Sequence, residues 1–506
     1  MRVTTNMISN NIMMNVNRNL VNSDRLLRMI GSMRRANVPS DNPLVAARDL
    51  RFRNNLAANE NFQNNVINAS AWMDITSGAI DTIVSDLMRQ ARDRIHTAAN
   101  DYLELEDRNV LVQQLRSIAA TMGETLNTQM AGRYVFSGLR TNEPPVFKQN
   151  EPELSFNITQ SFNLADVERI RSVQFGQNDY MMPESPQTGR HIINLPFRNA
   201  APTTVVPFQI VADGPPLAGV TIDPISVNAV NAYLPDPGQV HFIQETGELV
   251  FHPGDVTGNT GIGAFPIEVR YTVTGFKAGD LNPRVYFNAI EMVQAPGATA
   301  RTPGFHFNRP PGFAPSATAP WGTTSAGDPG DNQHMLMEFG TRTSFPYNTL
   351  AKDVVSARFF ADINAVIHLV ESLKPSDRAE LESMYAERGF SGPSLENAVN
   401  EHIANETQLF NQIMNTRLNN MLHSIDRHTS ESTRALTDTG NRHHRLDLFT
   451  DRLEQDEASI IRLISNNIDT DLAAANSRMA SAEAALMASM RIGNNIINIT
   501  MANFLR

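Results

Sequence analysis

Cysteine is absent from all 506 residues. That excludes a disulfide framework, a zinc-thiolate site and a cysteine nucleophile. Lysine is nearly absent: Lys148, Lys277, Lys352 and Lys374 stand alone among 42 basic residues, the rest being arginine. The formal net charge is −11, which is no electrostatic footprint for nucleic acid. No run approaches the roughly 20 apolar residues that cross a bilayer. The opening MRVTTNMISNNIMMNVNRNL lacks the apolar h-region and small-residue cleavage site of a Sec signal peptide. These absences lead to the expectation of a soluble cytoplasmic protein, with two or three domains at this length.

Proline is scarce in both flanks. Of 28 prolines, only Pro39 and Pro43 precede residue 142, and only Pro375 and Pro393 follow residue 346. Proline breaks helix interiors, so two helical flanks enclose a non-helical middle. In the N-terminal flank Met13, Val16, Leu20, Leu27 and Ile30 recur at helical steps, as do Ile80, Val84, Leu87, Ala91 and Ile95, then Leu111, Leu115, Ile118 and Met122. In the C-terminal flank Ile468, Leu472, Ala475, Met479, Ala482 and Leu486 form a 4-3-4-3-4 row, and Leu486, Met490, Gly493, Ile497 and Phe504 carry a neighbouring one onward. Rows this narrow suit a coiled coil better than a globular helix.

The middle alternates with period two. GQVHFIQETGELVFHP reads as a hairpin around ETGE, IEVRYTVTGF as a strand, and Asp213-Gly214 as a tight turn. Residues 295–331 read as loop. The expected fold is mainly α with an inserted β region: N- and C-terminal helices pair into a coiled-coil rod, and one or two antiparallel β domains sit between them. Three separate beads in a row fit the same order, but would leave each flank's narrow stripe uncovered. The expected boundaries are 1–40 with 460–506 for the terminal coiled coil, 41–144 with 346–459 for the helical rod, and 145–345 for the β insert.

Chemistry is hard to find. His443 and His444 are adjacent and diverge on a helix, as do His423 and His428, so all four read as solvated helix histidines. Asp451, Glu454, Asp456 and Glu457 crowd one helical stretch beside Arg452 and Arg462, and read as a solvated face rather than an acid–base pair. GNTGIGAF clusters glycines among strands and opens no helix, which suits a β-turn. No metalloprotease, nucleophile-elbow or P-loop pattern appears. The expectation is no enzyme, no catalytic residue, no metal and no cofactor.

Two local features stand out. Pro39, Ser40, Asp41 and Pro43 make an elbow: the prolines stop one helix, and Ser40, Asp41 or Asn42 can cap the next. The ends are also unusual, with seven asparagines and no carboxylate in the first 22 residues and Asn beside Ile in GNNIINITMANF. Helix propensity there is poor, yet the apolar stripe continues to the final residues. Such segments fold best against partners.

The elbow SMRRANVPSDNPLVAARDL, the turn QMAGRYVFSGLRTNEPPVF and the ending AEAALMASMRIGNNIINITMANFLR together resemble the flagellin-related axial proteins of bacterial flagella. Within them the chain looks most like the hook-associated protein 3 family of hook–filament junction proteins. AGRYVFSG carries most of this likeness through Gly132, Arg133, Tyr134, Phe136 and Gly138. PSDNP is similar to that family's PSDDP elbow, with Asn42 in place of an Asp. The RAGDDAAG-like elbow and FNGxKLL-like turn usual in filament flagellin are missing.

The resemblance implies a structural junction adaptor between hook-associated protein 1 and flagellin. It implies self-association in a ring, an outward β insert, and terminal segments that fold on assembly. It also implies a flagellar export chaperone and type III export without a cleaved signal. That location is extracellular, against the cytoplasmic expectation above. Filament flagellin remains an alternative, and an extracellular carbohydrate-binding or adhesive protein, resting on Trp321 and the β insert, a remote one.

Overall fold

The computed structural model describes residues 5–100, 105–163, 166–170, 190–197, 209–211, 221–225, 233, 235–243, 246–252, 267–294, 301–308, 333–340, 342–372 and 376–504. Asp213-Gly214, GNTGIGAF and Trp321 lie outside these residues, as do the side chains of Ile497 and Phe504. The chain divides into two compact units. A terminal unit takes Met1–Asn68, Glu338–Ser344 and Arg445–Arg506, and a core unit takes Ala69–Met337 and Phe345–His444.

In the terminal unit, α1 (Thr5–Ser32) and α10 (Leu472–Phe504) run antiparallel. The unit also holds the first part of α2 (Pro43–Asp81) and the last part of α9 (Pro393–Ile468). Amides clip these two together: Asn59 Nδ2 donates to the Leu453 carbonyl at 2.8 Å, Gln63 to Glu457 at 2.7 Å, and Asn467 to the Val45 carbonyl at 3.0 Å. The helical N and C flanks thus pair, as the narrow stripes require.

The core unit contains the rest of α2, which passes through a π-helical turn (Thr82–Met88) into α3 (Arg89–Asn100), and then α4 (Leu105–Leu126). Ile83, Leu87 and Met88 are all buried in the π turn, a wider inward face than the even helical period anticipates. A small hairpin of β1 (Gln129–Met130) and β2 (Arg133–Tyr134) follows. Two five-stranded sheets come next. The first has the order β12-β11-β3-β10-β6, with β3 (Glu151–Phe162) and β10 (Ile267–Phe276) at its centre, β6 (Gln209–Val211) on one edge, and β11 (Asn288–Gln294) and β12 (Arg301–Phe307) towards the other. The second has the order β4-β5-β9-β8-β7, from β4 (Glu168–Ile170), β5 (Arg190–Asn194), β9 (Glu248–Phe251), β8 (Gln239–Ile243) and β7 (Thr221–Ile225).

IEVRYTVTGF is β10, and the ETGE hairpin is β8 paired with β9. Two expectations change. β12 lies inside the stretch read as loop, because it pairs along β11, a non-local partner invisible to local composition. One pair departs from antiparallel order, β7 running parallel to β8. Short helices α5 (Pro283–Tyr286), α6 (Ala351–Val354), α7 (Ala357–Ser372) and α8 (Arg378–Glu387) complete the unit with α9 up to His444. One apolar core runs through helices and sheets alike, including Ile80, Leu115, Phe156, Tyr271, Phe359 and Leu418.

Candidate assembly surface

The α1–α10 pair is built on a heptad. On α1 the residues turned away from solvent are Ile12, Val16, Asn19, Ser23, Leu26 and Ile30; on α10 they are Ala475, Met479, Ala482, Leu486, Ser489 and Gly493. Both rows step 4-3-4-3-4, the period of an antiparallel coiled coil. Asn19 Nδ2 donates to Ser489 Oγ at 2.9 Å inside the seam. The two helix ends are tied as well: Arg35 N–H donates to the Ile468 carbonyl at 2.7 Å, and Thr470 N–H to the Met33 carbonyl at 3.0 Å. Asp471 caps α10, accepting from the Ala473 and Ala474 amides.

This row is not quite the one that hydrophobicity picks out. Val16 and Ile30 are half-buried in it, but Met13, Leu20 and Leu27 stand on another face, 71%, 47% and 57% exposed. On α10, Ile468 (just before it), Ala475 and Ala482 are buried, Met479 and Leu486 half-buried, and Leu472 and Met490 exposed. Ile12, Asn19, Ser23, Leu26 and Ser489 were missed because three polar residues interrupt the seam, whereas Gly493 stands in the row expected onward from Leu486 and is buried. The exact heptad spacing was the signal that could have found them.

The consequence is a second, uncovered apolar stripe. Met13, Leu20 and Leu27 recur every seven residues, with Met14 and Val21 beside them, and Met487, Met490 and Ile492 stand out from α10. Leu44, Leu50, Ile67, Leu448, Ile461 and Leu463 add to them from α2 and α9. Three quarters of the exposed large hydrophobic side chains among the described residues belong to the terminal unit. Of the largest fully buried side chains only Phe339 does, stacked on Phe449 at 5.7 Å. A thin core with a wide apolar exterior makes this a candidate interaction surface.

The elbow is held by Asp41. Its carboxylate accepts from the Asn37 and Val38 amides at 3.0 and 3.2 Å, which lowers its pKa below the usual carboxylate range. Arg25 donates to the Asp41 carbonyl at 2.8 Å. Capping falls to Asn42, which accepts from the Val45 amide, with Pro43 in the first turn of α2; Pro39 and Ser40 are exposed.

In the core unit the 131–138 turn is an anchor. Ala131 and Gly132 both have positive φ, 50° and 79°, as a two-residue hairpin turn requires. Gly132 and Arg133 are exposed, while Tyr134, Phe136 and Gly138 are buried. Phe136 accepts from the Ala351 amide at 2.9 Å at the start of α6, and Ser137 Oγ donates to the Glu143 carbonyl at 2.5 Å. Gly138 has φ +62°, and a Cβ there would lie 2.7–2.9 Å from Gln333 and Leu350.

The histidines need one correction. His428 is buried, not solvated: its ring bonds Asp362 at 3.0 Å and Ser356 at 3.2 Å and meets Phe359 edge-on, because α7 packs over it. A Ser–His–Asp chain results, with Glu431 also 3.5 Å from the ring. Burial disfavours the charged ring, but hydrogen bonds to Asp362 and Glu431 outweigh it and raise the pKa. Asp451, Glu454 and Asp456 are exposed as read, and Glu457 takes the amide of Gln63. A cavity of about 890 Å³ has Arg116, Lys148 and Lys277 among its lining. Several of its polar groups are engaged with their own surroundings: Asp280 accepts the Lys277 amide, Asn127 clasps Val146, and Arg116 pairs with Glu371.

Residues 3–141 match the family described as the bacterial flagellin N-terminal helical region, and over that stretch the chain is flagellin-like. No curated protein sequence matches the chain. Among solved structures, FlgL of Xanthomonas campestris is 10% identical, with 82% of this chain and 99% of that one covered at a TM-score of 0.32. Flagellar hook associated protein-3 from Legionella pneumophila is 14% identical, with 82% and 98% covered at a TM-score of 0.30. The flagellar junction protein FlgL from Legionella pneumophila is 13% identical, with 78% and 98% covered at 0.27. At such identities and scores these likenesses bear no weight on function; the match over residues 3–141 does.

Proposed function

We propose that this chain is a structural subunit of the bacterial flagellum, a junction adaptor that joins the hook, through hook-associated protein 1, to the flagellin filament. The observation that carries the reading is the pairing of a flagellin-like N-terminal region with an uncovered apolar stripe on the terminal helices. Repeated around a ring of subunits, Met13, Leu20 and Leu27 on α1 and Met487 and Met490 on α10 meet neighbours. Each such side chain contributes about 1.5–3 kcal/mol when buried. The elbow around Asp41 joins α1, which carries one of these rows, to α2. Ion pairs across the contacts set register more than affinity.

An extracellular destination follows from this role, reached by the flagellar type III route. A chaperone bound to the α10 stripe before export keeps it from aggregating. Deleting the gene tests the junction role: flagellin is then secreted but not assembled on intact hooks, and hooks that still grew filaments would refute it. The family match over residues 3–141 also favours a second reading, filament flagellin itself. Long filaments grown from purified chain on seeds decide for that reading; a junction adaptor does not grow them.

A further inference from the structure

A set of buried ionisable groups lies in the core unit where the second sheet meets α7 and α9. Arg417 on α9 sits between two carboxylates, pairing with Glu248 of β9 and with Glu168 of β4 at 3.4 Å. Asp166, just before β4, pairs with Arg358 of α7 and lies 3.7 Å from Arg427 of α9. Asp362 of α7 takes the amide of Asn194 on β5 at 3.2 Å and the ring of His428 at 3.0 Å. Three strands or strand ends are thus fastened to two helices by one polar seam.

The charges do not balance. Asp166, Glu168, Glu248 and Asp362 oppose three guanidiniums, those of Arg358, Arg417 and Arg427. These groups are neutral only with one more proton, on Glu168 or on His428. Glu431, 39% exposed and 3.5 Å from the His428 ring, adds a further negative charge at the edge that favours this proton. The seam's carboxylates and Arg417 are well shielded: the side chains of Glu248, Asp166 and Arg417 are 2%, 4% and 8% exposed and that of Glu168 18%, while Arg358 and Arg427, at 28% and 33%, reach towards solvent. An uncompensated charge in such a place is costly. We infer that the seam is a proton-dependent latch, which holds the second sheet on α7 and α9 while it carries the extra proton and loosens as pH rises to and through neutrality.

The neighbouring groups agree in sign. Burial, and next the Asp362 charge, push the Glu168 carboxyl up to about 7, against the relief from Arg417. The pKa of His428 is raised too. A group raised in the folded state contributes stability below its unfolded pKa and loses it as pH climbs through the folded one. For Glu168 that window runs from its ordinary carboxyl value, 4.5, to about 7. For His428 it begins at the ordinary imidazole value, 6.5, and extends upward. The other facing groups do not reverse this. Tyr233 donates to Glu248 at 2.7 Å and stays neutral, its pKa driven up by burial. Ser424 Oγ reaches Glu168 at 3.5 Å, and Glu431 ionises below the ordinary range, already charged across the window. His241 and Asp223 stand further along the strand row that begins at Glu168, paired with each other in register.

Hydrogen exchange of the full chain at pH 5.5 and 8.0, corrected for intrinsic rates, tests the latch. Protection of β5 and β9 relative to β3 and β10 of the first sheet is expected to fall about tenfold or more at the higher pH. In Glu168→Gln or His428→Gln, whichever removes the proton's site, the dependence shrinks to about threefold or less. A constant wild-type ratio between the two sheets overturns the proposal, as does an undiminished dependence in both variants. The wild-type comparison decides by itself should a variant not fold.

Discussion

A Cβ placed on Gly493 of α10 would lie 3.3 Å from Cγ2 of Ile12 on α1. The glycine in an otherwise helical ending is therefore a point of close approach between the two terminal helices, not a weakness in the helix. Asn19 and Ser489, hydrogen-bonded one step along, keep the register.

Gly493→Leu is expected to push the helices apart at a cost of about 1–3 kcal/mol, confined to the terminal unit. The absence of native cysteine supplies the assay. Asn19→Cys with Ser489→Cys forms a disulfide in the parent chain, read on a non-reducing gel, and forms little in the Gly493→Leu background.

Replacing Met13, Leu20 and Leu27 together by Gln leaves the α1–α10 pair intact, since these side chains point outward. Helicity by circular dichroism and the thermal midpoint stay near the parent values, while self-association in sedimentation weakens. Replacing Ile12 and Leu26 by Gln does the reverse and lowers helicity. Equal loss of helicity in both variants would show that the two faces are not separate.

The two glycines of the 131–138 turn differ. Gly132→Ala meets no neighbour within 4 Å and carries only the strain of positive φ, about 1 kcal/mol. Gly138→Ala adds a clash with Gln333 and Leu350, and is expected to cost about 2–4 kcal/mol. Urea unfolding monitored at Trp72, buried in the same unit, ranks them.

His402 reports pH in the opposite sense from the latch. It is buried against Tyr385, whose hydroxyl lies 3.1 Å from Nδ1, and burial lowers its pKa. Protonation must then accompany opening. Stability of the hairpin formed by α8 and the start of α9 is present above the ordinary histidine range and lost as pH falls through it. Limited proteolysis between residues 376 and 406 is expected to quicken between pH 7 and pH 5. A His402→Leu variant does not show the change.

Much of the architecture was legible in the sequence because it is periodic. Proline placement separated helical flanks from a β middle, IEVRYTVTGF and the ETGE hairpin alternate with period two, and Leu111, Leu115, Ile118 and Met122 are all buried as their spacing requires. These are local rules, and the chain obeys them locally. The choice of face was not legible. Met13, Leu20 and Leu27 outrank Asn19 and Ser23 in hydrophobicity, yet the polar pair lies in the seam and the apolar trio outside it. Which stripe meets the partner helix depends on packing across 470 residues of chain, and a glycine and an Asn–Ser bond decided it. His428 and Arg417 likewise look like surface residues of a long helix. Only tertiary packing buries them: β4 and β9 bring carboxylates to Arg417, and α7 brings Asp362 to His428. The sequence by itself determined the helical flanks and the most regular strands, since these follow from neighbours a few residues away, whereas β12 needed its partner β11. The tertiary structure decided which faces are covered and which charges share one site, since burial and electrostatics act through space.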